Sequence, residues 1–379
     1  MKKIIKMIER NKSVITGKEG LEPLFSLMNF PVFFGCVDSG ADDDLHADME
    51  WSIDKESGVI QLIKLIPLDV LYQEQHVDGI GKTWHNYYND FADYVISRNP
   101  VNVLEIGGGA GVLAETVTKK IENIHWTIIE PNPLHKGDEK IDVISGFFNE
   151  GFSSDKKIDA VVFSQVLEHA YEPDKFIKHI SSFLNIGGKL IFAYPNLELW
   201  LKNKFTNALN FEHTMFVTEH LVAYLLEKNN FFISDKTYYK DHSIFYTAER
   251  IDKPRQNISL DNKYDDYKKI FLDFVNYHKD LIADLNEKIE YVKSPVYLFG
   301  AHIFATFLFE FGLNKSKIVA LIDNSELKQG RRLYGTKFII ETPEILRDIK
   351  SPNVILKAGI YNDEISKQLK DINPTVNIW

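Results

Sequence analysis

The segment that most constrains this chain is the stretch from Val101 to Gly111. Residues 101–106 read VNVLEI, a short apolar and β-branched run with the composition of a buried strand. The run passes directly into Gly107-Gly108-Gly109-Ala110-Gly111 and then into the helix-forming VLAETVTKKI. Glycines in such a turn let the backbone bend sharply and approach a ligand closely. The helix that follows offers free N–H groups and the positive end of its dipole to a carboxylate or phosphate. The register matters. A dinucleotide fingerprint needs G-x-G-x-x-G/A, and the sixth position counted from Gly107 is Val112, which fails it.

The pattern around this loop predicts an α/β protein. Residues 100–250 alternate β-branched runs (WTIIE, IDVISGFF, IDAVVFS, GGKLIFAYP) with helical segments such as PDKFIKHISSFL. Such alternation implies a parallel sheet covered by helices. It resumes over 294–379 with VYLFGA, HIFATFLFEFGL, KIVALID and NVILKAG, as a second, smaller α/β unit. Between the two, Tyr267, Ile270, Phe271, Phe274, Leu281, Leu285 and Val292 have the spacing of one long amphipathic helix. Residues 1–75 lack helical periodicity and carry an acidic run, Asp38 to Glu50, read as a solvated loop. The expected organisation is a region 1–75, a domain 76–250, a linking helix 251–293 and a domain 294–379. At roughly 150 residues per domain, 379 residues allow this. A 44% hydrophobic content with 26 Phe and 17 Tyr supplies more than one core.

Composition removes several classes. A net charge of −10 argues against broad contact with nucleic-acid phosphates. No apolar run reaches the roughly 18 residues of a membrane span. The first residues have neither a sustained apolar core nor a small-residue cleavage site, so no signal peptide is expected. The single cysteine, Cys36, excludes an internal disulfide framework and a cysteine-rich zinc site. The expected compartment is the cytoplasm.

Glu105 lies two residues before the first glycine and completes E-x-G-x-G-x-G through Gly107, Gly109 and Gly111. This resembles the first motif of class I S-adenosylmethionine-dependent methyltransferases. The resemblance implies a Rossmann-like domain with a parallel-rich seven-stranded sheet and S-adenosyl-L-methionine as cofactor. Glu130 ends the second strand, where a carboxylate accepts both ribose hydroxyls, with Pro131 beside it. Phe147 and Phe148 follow the third strand, where the family packs the adenine. Gln165-Val166-Leu167-Glu168-His169 resembles the post-strand motif whose backbone lies near the methionine moiety. The intact Glu105, glycine loop and Glu130 argue against a relic that only binds.

Outside the cofactor half, Glu212-His213 with Phe216 resembles the E-H motif of nucleotide-sugar C-methyltransferases. Gly300-Ala301, Asp323-Asn324, Lys328-Gln329-Gly330-Arg331, Tyr334-Gly335-Thr336 and Tyr361-Asn362-Asp363-Glu364-Ile365 resemble that family's C-terminal Rossmann-like domain. The likeness spans about residues 50–379. It departs where the family has zinc-binding cysteines, since Asp54 and Ser57 stand there; no zinc or other metal is expected. It departs again around Tyr72 to His76 and at Lys240-Asp241-His242-Ser243, where the acceptor should lie. The resemblance implies C-methylation of a nucleotide-linked keto-deoxysugar through an enolate, with O-methylation of a sugar hydroxyl as the alternative. A histidine suits the base because its pKa lies near neutrality. His213 is the first choice, with Glu212 orienting it or sharing the proton. His169 either holds the acceptor or acts as the alternative base, and His242 is a third candidate. Tyr72, His76 and Tyr361 are assigned to the sugar. The cluster Lys328, Arg331 and Arg332 is assigned to an anionic diphosphate, and the Gly300-Ala301 turn to a phosphate. The second pair, Glu219-His220, reads as structural.

Overall fold

Buried β-branched runs separated by amphipathic helices build two parallel sheets, and a computed structural model describes them over residues 5–73, 82–253, 258–358 and 362–379. The N-terminal region is an antiparallel sheet of β1 (Glu22–Pro31), β2 (His46–Ile53) and β3 (Ile60–Leu62). The acidic run is therefore only partly a loop: from His46 it is a strand, and the Asp44 side chain is buried. Strand alternation explains this, because the run also carries Met49, whose side chain is fully enclosed.

The central sheet has seven strands: β4 (Asn102–Ile106), β5 (His125–Glu130), β6 (Ile141–Ser145), β7 (Ile158–Ser164), β8 (Leu184–Pro195), β9 (Phe231–Tyr239) and β10 (Ser243–Arg250). Their order is β9-β10-β8-β7-β4-β5-β6. β8 to β6 run parallel, while β10 is antiparallel to both β8 and β9. Helices α1 (Lys82–Ile96) and α2 (Val112–Lys120) pack on one face, and α3 (Pro173–Phe183) and α4 (Glu219–Lys228) on the other. The strand order reverses between β4 and β7, which lie side by side at the centre. In open parallel sheets, ligands bind beyond the carboxyl ends of the strands at such a switch point.

Helix α5 (Tyr264–Tyr291) leads to the C-terminal unit. Its Phe271 and Phe274 join the core under the N-terminal sheet, and its Ile282, Leu285 and Ile289 join the C-terminal core. That unit is a five-stranded parallel sheet around β11 (Val296–Phe299) and β12 (Ile318–Ile322). Among the described residues, no helix is long and apolar enough to cross a membrane.

Candidate active site

The glycine loop sits at the switch point because β4 ends there and α2 begins. Gly107 and Gly111 both have φ near +75°, at 72° and 77°. A Cβ on Gly107 would lie 2.8 Å from Val166, and one on Gly111 within 3 Å of the His135 ring. The loop therefore requires glycine at these two positions for conformation and for space. Gly107 and Gly109 line a cleft of about 760 Å³, within the roughly 300–1,000 Å³ of ordinary ligand sites. Gly111 does not line it; it caps α2 in the left-handed conformation.

Glu130 also lines the cleft. Its Oε2 accepts from the Gly109 N–H at 3.1 Å and its Oε1 from the Asn132 N–H at 3.1 Å. The carboxylate is thus fixed by the loop it serves, with lone pairs left for a diol. Pro131, Phe147, Phe148 and Gln165 line the same cleft. Phe148 is at once part of an aromatic cluster with Phe152, Phe176 and Phe183. Glu105 is not on the wall. It is buried beneath the loop, accepts from the Trp126 indole N–H at 2.6 Å, and is pushed by burial up to about 7. Its expected contact with the cofactor is replaced by support of the loop from below.

At the other end of the cleft stand Tyr72, His169 and Glu212. The Tyr72 hydroxyl is 3.2 Å from His169 Nδ1, and His169 Nε2 is 3.9 Å from Glu212 Oε2. Residues far apart in sequence meet here because residues 212–216 are tied on two sides. Thr214 N–H donates to the Glu168 carbonyl at 2.9 Å, while Leu62 N–H donates to Thr214 and Phe216 N–H donates to Ile60. The strand β3 thereby clamps the Glu212-His213 segment beside Glu168-His169.

His213 lies behind this wall. It is 8% exposed, its Nδ1 is 2.9 Å from the Ala208 carbonyl, and its ring centre is 5.5 Å from that of His169. Burial pulls its pKa down to about 4. His213 is therefore a neutral group in the second layer, and the cleft-facing partners are Glu212 and His169. His242 is also off the wall. Its Nδ1 is 2.6 Å from Ser243 Oγ, and burial, followed by Lys240, lowers its pKa to about 4. Ser243 in turn accepts from Gln165 Nε2, so His242 belongs to the network under the strand end. His220 is structural as expected, bonded to Thr218, Tyr267 and the Ser57 carbonyl.

The basic cluster is not at the cleft. Arg332 is buried in a bidentate pair with Asp44, Lys328 pairs with Asp323, and Arg331 with Asp38. Carboxylates of the chain itself pair with these cations, away from the cleft. The Gly300-Ala301 turn is likewise filled: the Ala301 N–H donates to Asp323 Oδ2 at 2.8 Å. His76 and Tyr361 lie outside the described residues.

Glu168 carries no mark of a site residue in the sequence. Its carboxyl is fully buried, and neither oxygen has a side-chain partner among the described residues. Burial pushes it up to about 8, against the pull of its own backbone N–H. A single acidic residue between Leu167 and His169 gives no sequence signal of such burial.

The sheet order, the glycine loop after its central strand and the carboxylate after the neighbouring strand give this part of the chain the arrangement of an S-adenosylmethionine-dependent methyltransferase domain. A family model described as a methyltransferase domain matches residues 81–234. No curated protein matches the sequence. Among solved structures, the chain is similar to a plantazolicin methyltransferase in complex with a substrate analogue and SAH (13% identity, 44% of this chain, 83% of that chain, TM-score 0.36). It is also similar to the magnesium protoporphyrin IX methyltransferase of Synechocystis PCC 6803 with bound SAH (15%, 45%, 89%, 0.36). A third is mitomycin 7-O-methyltransferase (16%, 48%, 62%, 0.37). The residues present fit the S-adenosylmethionine cofactor: the loop offers backbone N–H groups, and a carboxylate, Glu130, and an aromatic ring, Phe147, line the same cleft.

Proposed function

We propose that the protein methylates a nucleotide-linked keto sugar at carbon. The observation that carries this reading is the pairing of Glu212 with His169 in the same cleft as the glycine loop and Glu130. A ketone makes the neighbouring C–H acidic, and a carboxylate within reach can remove that proton. Glu212 takes the proton. His169 and the Tyr72 hydroxyl hold the acceptor oxygen as it becomes an enolate, where donors act most strongly. Phe34 and Leu68 of the N-terminal region line the same cleft and help exclude water from it. Bound S-adenosylmethionine supplies a methyl group on a positively charged sulfur, which departs as S-adenosylhomocysteine when the acceptor electron pair takes the methyl.

A sugar hydroxyl methylated on oxygen is the second reading. It is favoured by the engagement of Lys328 and Arg331 elsewhere, which leaves carboxylates such as Glu212 to bind hydroxyls. Mass spectrometry of a panel pairing 4-keto nucleotide sugars with their reduced alcohols tests both. Methylation of the keto members alone supports attack by carbon. Methylation of the alcohols alone transfers the reading to oxygen, and methylation of neither removes the sugar assignment.

A further inference from the structure

Behind the proposed acceptor end of the cleft lies a cluster that methyl transfer by Glu212, His169 and Tyr72 leaves unexplained. Glu168, His169 and His213 each present one potential ligand atom, and these atoms all lie within 4.8 Å of one another. Glu168 Oε1 is 4.0 Å from His169 Nε2. Both Glu168 oxygens are enclosed and lack a side-chain donor among the described residues. Native proteins rarely leave a buried carboxyl in that condition, and each case asks what satisfies it.

The second layer points the same way. The Nδ1 of His213 faces the Ala208 carbonyl at 2.9 Å, and the Nδ1 of His169 faces the Tyr72 oxygen at 3.2 Å. The Ala208 carbonyl only accepts, so the His213 proton sits on Nδ1 and the lone pair on Nε2, whereas the Tyr72 hydroxyl is compatible with the His169 tautomer that carries its lone pair on Nε2. Histidines that bind metals are held in this way.

We propose that Glu168, His169 and His213 bind one divalent transition-metal cation at the inner end of the cleft. Two imidazoles and one carboxylate form a common catalytic donor set, and they leave coordination positions open. Ligand atoms around an ion at about 2.1 Å lie about 3–3.4 Å apart, so closing the cluster requires side-chain shifts of about an ångström. His169 lines the cleft while Glu168 does not, so the open positions face the acceptor. A cation there polarises an acceptor oxygen as a Lewis acid, in place of a hydrogen bond from His169, and complements Glu212 as proton acceptor. This role rests on the acceptor location given above, whereas the binding of the ion does not.

The test uses the full untagged chain, stripped with chelator and titrated with Zn²⁺, Mn²⁺ and Co²⁺ separately, with no S-adenosylmethionine or acceptor present. The expected result is one equivalent bound at micromolar concentration for at least one ion. Bound Co²⁺ should show visible absorption bands that are lost in Glu168→Gln and His213→Ala. Both variants should still bind S-adenosylmethionine, which reports folding. Failure of all three ions to bind the wild-type chain stoichiometrically overturns the proposal, as does Co²⁺ binding that is unchanged in both variants. Because no acceptor is present, a wrong sugar assignment cannot produce either failure. Conversely, metal-free protein that methylates keto sugars at full rate would remove the catalytic role and leave the sugar reading intact.

Discussion

At the scale of single residues, Glu130 shows how one carboxylate can hold a loop and face a cleft at once. It accepts from Gly109 and Asn132 and still borders the cleft. Glu130→Ala should weaken S-adenosylmethionine binding by about 1.5–3 kcal/mol, the usual value of hydrogen bonds to a charged group. That is roughly a ten- to hundredfold rise in Kd by calorimetry; unchanged affinity would place the cofactor elsewhere. Asp54 is held in a different way. It accepts from Ser13, Thr16 and Ser57 hydroxyls and the Glu56 N–H. Burial pushes its pKa up, but these four donors outweigh burial and hold it below its ordinary 3.8. A depressed folded-state pKa stabilises fully above the unfolded value and less as pH falls through the folded one. The stability gap between wild type and Asp54→Asn should therefore be widest near neutrality and shrink as pH drops below 3.8. Urea midpoints of both proteins across that range measure it, and a gap independent of pH counts against the account.

At the scale of elements, the strand–glycine loop–helix unit is legible in the order of residues along the chain. β4 spans Asn102–Ile106 and α2 starts at Val112, as the apolar run and glycines predict. The loop tolerates little change. Gly111→Ala adds a Cβ against His135 and forces an L residue to φ 77°. The backbone term alone costs about 1–2 kcal/mol. The variant should unfold at lower temperature by differential scanning calorimetry and bind S-adenosylmethionine more weakly, since α2 must tilt to relieve the contact. Equal stability would mean that the loop relaxes freely. The long amphipathic helix expected from the spacing of Tyr267 to Val292 is α5, which starts only at Tyr264 within the expected 251–293, and its pattern is readable because it packs on one face along its whole length. The strand β2 is not, because Asp42, Asp43 and Asp44 make its approach look solvated.

At the scale of the whole molecule, the pair Arg332–Asp44 joins the C-terminal unit to the N-terminal region across 288 positions of sequence. Their side chains are 8% and 1% exposed. Removing one partner of a buried pair leaves an uncompensated charge and typically costs about 3–5 kcal/mol. Arg332→Ala should lose about that much stability, and Asp44→Ala combined with it should lose less than the sum of the two singles. A double-mutant cycle by chemical denaturation measures this, and strict additivity would show that the pair carries no coupling.

Sequence alone determined the parts that depend on neighbours along the chain. These are the glycine loop, Glu130 at a strand end, the alternation that makes two mostly parallel sheets, and the presence of three Glu-His pairs. The tertiary structure decided what depends on distance in space. It put Glu212 and His169 on the cleft wall with His213 behind them, and buried Glu168 without a side-chain donor. It also moved Glu105 beneath the loop, His242 into a supporting network, and Lys328, Arg331 and Arg332 onto carboxylates. The physical reason is that local conformation follows from nearby residues, whereas burial and pairing follow from which segments the sheets bring together. Glu212-His213 faces Glu168-His169 only because β3 hydrogen-bonds residues 214 and 216, a contact that no spacing along the chain encodes.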